Sequence, residues 1–545
     1  MAERRLNNIV FLFLIITSLQ FFVFHVAFAE QKTFEKEYTY QASEIDSKVS
    51  SRTIALEQVK RLLLEELGTF LISETEVKDF KLTKDQITTL TAGIVRVELM
   101  NEKWDGSAYY LKAKVSADPD EVTKSIDTLR KDREKSKELE ETRKKAEEAL
   151  KEIEKLRKEL EMAKSDPKKQ QQEQKEAVLA APATVGKEGA VALTVKEEVR
   201  IEDDKKTQTI REEYSKAINE LGAIDSFEKG YGFQMAGKFK DAVDAYSKAI
   251  ELNPRYALAY NNRGSAYQKL ENYRQAVKDY DKAIQFDDRD AMMYYNRSVA
   301  YAMLEDYQQA LKDCDRAIEL DSKYALAYNN RGGAHKKLGN YAQAIKDYDR
   351  TIELNPKDMI AYFNRGLSYS MSGNYPQAIK DYDRVIEADN NDAMAFYNRA
   401  IAYNLSGNVQ QAIKDYSRVI ELNPKSVMAY YSLGIAYSRL GVDQQVINTF
   451  NKVIELNPRE SSAYVTRGNA YINLDKYEQA IKDLDKAIEL NAKDGMAYYN
   501  LGVAYTNTGD RQKGIENIKH AARLGYKSAQ NYLKENGIEW NDNKK

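Results

Sequence analysis

One segment of this chain repeats every 34 residues, nine times over, across its C-terminal part. Tyr260, Tyr294, Tyr328, Tyr362, Phe396, Tyr430, Tyr464 and Tyr498 stand at that interval. So do the small residues Gly230, Gly264, Ser298, Gly332, Gly366, Ala400, Gly434, Gly468 and Gly502. A third register runs through Ala242, Ala276, Ala310, Ala344, Ala378, Ala412, Val446, Ala480 and Gly514. A fixed period of this length predicts a solenoid of stacked helical pairs, none of which can bury its apolar face alone. Function is bounded with it, because a solenoid offers a long surface to other chains and seldom encloses a reaction centre.

Within the unit 325–358, Ala327, Tyr328, Arg331, Ala334, His335 and Leu338 recur at helical spacing and form one stripe. Gly339-Asn340 breaks that helix, and Ala344, Ile345, Tyr348 and Ile352 form the stripe of a second. Asn355-Pro356 closes the unit, since the residue before a proline resists helical torsions. A small residue in the glycine register lets two helices approach closely. Tyrosines fill the space between helices, which accounts for 38 Tyr in a chain with 2 Trp. With Tyr328, Arg331-Gly332, His335, Ala344, Tyr348, Thr351 and Pro356, the unit resembles the tetratricopeptide repeat. Nine units fit: 223–256, 257–290, 291–324, 325–358, 359–392, 393–426, 427–460, 461–494 and 495–528. The resemblance implies a mainly α fold, a nine-repeat α-solenoid superhelix over 223–528, with 529–545 as a capping helix and tail.

The chain begins differently. Arg4 and Arg5 precede an apolar run from Ile9 to Phe24, and Ala27-Phe28-Ala29 offers a small-x-small cleavage site. Residues 1–29 read as a secretory signal peptide, with a mature start at Glu30 and export to the periplasm or cell envelope. The alternative is an uncleaved inner-membrane anchor, which would be the only membrane contact. Cys314 is the single cysteine, at the aromatic position of a second repeat helix, and reads as buried filler. Residues 30–117 are expected to form a small α/β domain. A strand lies over 35–42, a helix over 49–67, a second helix over 83–92, and strands over 94–99 and 109–115 flank an Asp105-Gly106 hairpin turn. Residues 118–165 read as a charged helix. Leu139, Ala146, Ile153 and Leu160, with Thr142, Ala149, Leu156 and Ala163 three behind, give the seam of a coiled coil that could form a homo-oligomer through 125–163. A solvated single helix held by Glu–Lys pairs is the alternative. Residues 166–206 read as a flexible linker and 207–222 as a helix leading into the first repeat.

With 83 basic and 85 acidic residues, no net field would draw the chain onto nucleic acid. The basic side chains of pairs such as Lys346-Asp347 and Lys380-Asp381 read as solvated charge on the outer face of second helices. Only His25, His335 and His520 are histidines, too scattered for a shared metal site or a triad. There is no phosphate loop, GxSxG or HExxH. The reading is therefore not an enzyme, with no cofactor and no metal.

Asn262, Asn296, Asn330, Asn364, Asn398 and Asn500 share one register, interrupted by Glu228, Ser432 and Thr466. In the family this position faces the inside of the superhelix. The row resembles the asparagine ladder of the O-linked N-acetylglucosamine transferase repeats, which holds an extended peptide by its backbone. A carboxamide can donate and accept at once, so such contacts read main chain and tolerate many sequences. One residue earlier stand Tyr295, Phe363, Tyr397 and Tyr431, aromatics suited to side-chain or proline packing. Duplication alone could also have copied the asparagines. The family's clamp for chaperone C-terminal carboxylates is not matched. Phe227 and Tyr231 stand where its first Lys and Asn belong, and Asn330 and Ala334 replace its last Lys and Arg. The expectation is a scaffold of the bacterial cell envelope that binds extended peptide segments of protein partners. Alternatives are an oligomeric or membrane-tethered spacer, and an enzyme with the repeats as a docking arm.

Overall fold

The computed structural model describes residues 32–43, 46–74, 95, 97–117, 122, 126, 133–165 and 188–540. The expected signal segment and the helix expected over 83–92 lie outside these residues. The chain divides into two compact units, up to Leu304 and from Glu305 onward.

The first unit opens with a three-stranded antiparallel sheet of β1 (Lys32–Gln41), β2 (Val97–Trp104) and β3 (Ala108–Ala117) in the order β1-β3-β2. Phe34 lies opposite Val115 and Tyr38 opposite Leu111. Every second residue of β3, from Tyr109 to Ala117, is buried, as period-two alternation requires of a strand with one covered face. That cover is α1 (Lys48–Glu74), whose Ala55, Val59, Leu63, Leu67 and Leu71 recur at helical spacing and are fully buried. The hairpin between β2 and β3 turns at Gly106, with φ +99°, a torsion open to glycine. Asp105 Oδ1 stabilises the turn by accepting from the backbone N–H groups of Ser107 at 2.8 Å and Ala108 at 2.6 Å.

Two helices follow, α2 (Arg133–Ser165) and α3 (Glu188–Met235). The residues expected to form a coiled-coil seam pack inside the chain. Leu139, Ala146, Ile153 and Leu160, with Thr142, Ala149 and Leu156, are buried, and the apolar ones share one core with α1, β3 and α3. These residues are therefore not a face through which a second copy could pair. Part of the expected linker is corrected: its residues 188–206 are helical and run on through the lead-in helix and the first repeat helix as one helix of 48 residues, while 166–187 lie outside the described residues. No proline follows Pro182 until Pro254, so nothing in 188–235 stops a helix once it has begun.

A buried charge cluster joins these helices. Arg143 of α2 reaches Glu57 of α1 at 2.5 Å and Glu228 of α3 at 3.9 Å. Lys60 of α1 pairs with Asp225 and, at 3.1 Å, with Glu228. Burial alone would lower the Lys60 ammonium, but Asp225, Glu228 and Glu57 reverse the sign and hold it above its ordinary value. Burial raises the Glu57 carboxyl, opposed by Lys60 and Arg143.

The repeats begin with the end of α3 paired with α4 (Phe239–Leu252), then α5 (Ala257–Lys269) with α6 (Tyr273–Phe286), and α7 (Ala291–Met303). In the second unit come α8 (Tyr307–Leu320), α9 (Ala325–Lys337), α10 (Tyr341–Leu354), α11 (Met359–Met371), α12 (Tyr375–Ala388), α13 (Ala393–Leu405) and α14 (Val409–Leu422). They are followed by α15 (Val427–Arg439), α16 (Asp443–Leu456), α17 (Ser461–Asn473), α18 (Tyr477–Leu490), α19 (Gly495–Asn507), α20 (Arg511–Arg523) and the cap α21 (Lys527–Glu535). The glycine register does what its spacing predicts. A Cβ on Gly264 would stand 2.8 Å from the Tyr280 ring, and one on Gly366 would stand 2.9 Å from the Tyr382 ring. Cys314 takes the same slot in α8 and is buried, as expected. Ala529 and Leu533 of α21 close the array over Ile518 and Ala521.

Candidate functional site: the first-helix face

Arg263, Arg331, Arg365, Arg399 and Arg467, to which the sequence assigned no role, each fix a first helix against its second helix. In the second unit, Arg365 forks onto Asp381 of α12, Nε to Oδ2 at 2.9 Å and Nη2 to Oδ1 at 2.6 Å. Its Nη1 reaches back to Asp349 of α10 at 2.7 Å. Arg331 does the same with Asp347 and Asp315, and Arg399 with Asp415 and Asp383. Each guanidinium also sits over the aromatic ring three residues before it: Arg331 over Tyr328 at 5.3 Å, Arg365 over Tyr362 at 5.4 Å and Arg399 over Phe396 at 5.3 Å. Asp347 and Asp381 are buried, while Lys346 and Lys380 beside them are exposed, as expected of the basic members of these pairs. Burial raises the Asp381 carboxyl, and Arg365 opposes that rise.

The signal for this ladder was in the spacing. Each arginine has a polar partner 16 residues after it and another 16 before it. Where the register carries Leu433 in place of arginine, the two partner positions are Thr449 and Ser417 in place of aspartates. Arg263, which opens the ladder, binds Ser247 at 3.0 Å on its rear side, and Arg467 binds Asn451 at 2.6 Å.

This frame turns the asparagine register toward one face of the first helices, but the six do not stand alike. Asn262 is buried. Its Nδ2 donates to Glu138 of α2 and, at 3.1 Å, to the Leu258 carbonyl. It is therefore covered by the chain itself and not open to a peptide. Asn296 Nδ2 donates to Asn261 Oδ1 at 3.0 Å. In the second unit, Asn330 Nδ2 contacts Cys314 Sγ at 3.6 Å, and Asn364 Oδ1 accepts from Lys336 Nζ at 2.8 Å. Asn398 Nδ2 donates to the Met394 carbonyl at 2.8 Å, within its own helix, and Asn500 is buried.

The neighbouring aromatics are half-buried anchors. Phe363 packs edge-on against Tyr382 with centroids 5.8 Å apart, Tyr397 against Tyr416 at 5.7 Å, and Tyr431 against Phe450 at 5.3 Å. The Tyr397 and Ser432 hydroxyls lie 3.1 Å apart, linking one first helix to the next. Tyr295 in the first unit is likewise half-buried. Each of these residues keeps part of its surface exposed, one position before the polar register. His335 and His520 stay apart, the latter against Tyr498 with ring centroids 4.2 Å apart and planes tilted by 43°.

The comparisons with known proteins bear on the repeats alone. Tetratricopeptide repeat models match residues 257–290, 325–358 and 360–392, residues 291–324, residues 449–482, and residues 429–460 and 497–524. A TPR repeat model matches 235–271, 402–441 and 468–509. No curated protein matches the chain. Among solved structures, MamA is 28% identical with a TM-score of 0.29, over 30% of this chain and 96% of that one. YrrB, described as a TPR protein with an unusual peptide-binding site, is 27% identical with a TM-score of 0.32, over 35% of this chain and 98% of that one. The C-terminal part of a TPR repeat-containing protein from Cytophaga hutchinsonii is 17% identical with a TM-score of 0.39, over 44% and 98%. With repeat matches running from residue 235 to residue 524 over helical pairs of the expected register, the chain belongs to the tetratricopeptide repeat family.

Proposed function

We propose that this chain is a non-catalytic interaction scaffold that binds peptide segments of partner proteins on the first-helix face of its repeats. The observation that carries the reading is the combination on α11, α13 and α15. A polar residue able to donate and accept stands at one register, and beside it a half-buried aromatic sits with its ring propped from behind. Rigid aromatics bring contact area at low entropic cost, and carboxamides add hydrogen bonds that do not depend on the partner's side chains. Export to the cell envelope belongs to the same proposal and rests on the sequence of residues 1–29. The spacer reading through α2 loses its support, because the seam it needs is buried within the first unit.

The test places a photo-crosslinking residue at Ile401 of the full chain in its native host. It compares partner capture with and without Asn330→Ala, Asn364→Ala and Asn398→Ala together. Each hydrogen bond contributes about 0.5–1.5 kcal/mol net, so the triple change should weaken capture roughly tenfold to several-hundredfold. An unchanged crosslink to the same partner would remove the asparagines from the site. A collapsed thermal melt would make them structural instead.

A further inference from the structure

The first helices of the second unit carry no acid. Residues 325–337, 359–371, 393–405, 427–439, 461–473 and 495–507 contain neither Asp nor Glu, in a chain with 85 of them. The acids lie on the second helices and in the turns, where Asp358, Asp392 and Asp494 cap first helices by accepting from their backbone N–H groups. Those of the second helices that reach this frame, such as Asp381 and Asp415, are neutralised by ladder arginines. On the same first helices stands a row of large apolar side chains at one register. Leu326, Ile360, Met394 and Met428 are 46%, 66%, 61% and 65% exposed. Residues four, seven and eleven further along share that side of each helix. On α11 they are Asn364, Leu367 and Met371, and on α13 they are Asn398, Ile401 and Leu405. Neighbouring helices thus present an apolar band with a polar centre, edged by exposed Lys337 and Arg439. Exposed apolar bands of this kind mark binding surfaces, and methionine adapts its shape to varied partners.

The first unit shows what kind of element covers this register. Leu258 is the counterpart of Leu326 and is only 7% exposed. The side chains around it come from α2 and, with Glu220 and Ile224 in the same cavity, from α3. Glu138 accepts from Asn262, Glu141 and Lys145 line one cavity with Leu258 and Tyr256, and Lys145 Nζ stands 5.8 Å over the Tyr256 ring. The occupant is a helix, and it meets the asparagine with a carboxylate. We infer that the face of α9, α11, α13 and α15 takes an acidic amphipathic α-helix from a partner protein, its apolar stripe against the Ile360–Met394–Met428 row and its carboxylates toward Lys337 and Arg439. This rests on the peptide-binding reading above and names the class of ligand. Lys336 agrees with it. Burial, and then Lys337, lower its ammonium below the ordinary value, a charge that an incoming carboxylate would relieve.

The test uses the full chain and a fluorescein-labelled peptide of about 18 residues, long enough for five helical turns. The peptide is built from Leu and Glu with Leu at i, i+4, i+7 and i+11, and is locked helical by a lactam between one Glu and one added Lys four residues on. It should bind, and Met394→Ser with Met428→Ser should weaken it about tenfold or more with an unchanged melt, since both side chains are exposed. Lys337→Glu with Arg439→Glu should weaken the Glu peptide and strengthen a version carrying Lys for Glu. A linear version with a central proline that bound equally well would overturn the helical occupant while leaving peptide binding intact. No binding of any version, with the Asn330, Asn364 and Asn398 triple change still lowering native crosslinking, would overturn the inference alone. No binding together with unchanged crosslinking would sink both readings.

Discussion

Arg365 shows how a residue can be recognised as structural only through its partners. It carries a formal charge on a helix face, yet both its carboxylates come from second helices and Asp381 is buried. Removing the cation with Arg365→Met should cost about 3 kcal/mol in a chemical melt, because a buried carboxylate is left unpaired. Changing the three positions together as Arg365→Leu, Asp381→Thr and Asp349→Ser should return most of that loss, since the chain already uses Leu433, Thr449 and Ser417 in the next register but one. Failure of the triple change to recover would mean that the ladder is coupled beyond its own partners. The pairing was legible in the 16-residue spacing, but the burial of Asp347 and Asp381 was not, since burial follows from the helix face and not from residue type. Asp225 gives a second test with a definite sign. Burial would raise its carboxyl, but Lys60 and Lys229 override that and lower it to about 2. A carboxyl depressed below its unfolded value, about 3.9, contributes stability above that pH and loses it as pH falls toward the folded value. The stability gap between the parent and Asp225→Asn should therefore be flat above about pH 5 and shrink as pH falls toward 2. A gap that widened in acid would contradict the ion pair.

At the scale of elements, the repeat period predicted helices and turns closely, and the N-terminal helices less well, for a physical reason. Repeat helices announce themselves through nine copies, whereas α2 and α3 each occur once and their partners lie far away in sequence. The seam of α2 was visible as a heptad, but a heptad does not say whether its cover is a second copy or another part of the same chain. Ile153→Asp separates these cases. It should destabilise the first unit by about 3 kcal/mol or more, because a charge enters the core, while the mass in sedimentation stays the same with and without the change. A shift from oligomer to folded monomer would restore the coiled-coil reading. The extent of α3 was missed because a run of Glu, Lys, Val and Ala without Pro looks like tether by composition and helix by propensity. The turns between paired helices offer a cleaner case. Gly339, Gly373, Gly407, Gly441 and Gly509 take positive φ at one register, where Glu271, Glu305 and Asp475 take φ of 60°, 62° and 57°. A side chain is strained there, so Glu271→Gly and Asp475→Gly should each raise stability by about 0.5–1 kcal/mol, read as a higher melting temperature. A fall would show that those side chains have a role that the backbone does not reveal.

At the scale of the whole molecule, repeats whose contacts run mainly to neighbours should lose structure from an open end inward, not all at once. The cap α21 is what keeps the last pair closed. Leu533 and Ala529 bury against Ile518 and Ala521, and the Trp540 carbonyl accepts from Arg523 Nε at 3.1 Å. Truncation after Leu524 would expose Ile518 together with the rings of Tyr498 and Tyr499 that pack on the same cluster. Hydrogen exchange should then show α19 and α20 opening first and by the largest margin, α17 and α18 by less, and the first unit keeping its protection. The first unit answers to a different set of contacts: the sheet, α1 and the Glu57–Lys60–Arg143–Asp225–Glu228 cluster, none of which involves the cap. Uniform loss of protection across both units would mean that the chain folds as one cooperative block. Its scaffold role would then demand the whole array at once. Graded loss instead leaves the apolar band on α11, α13 and α15 folded and able to bind while the end of the array opens.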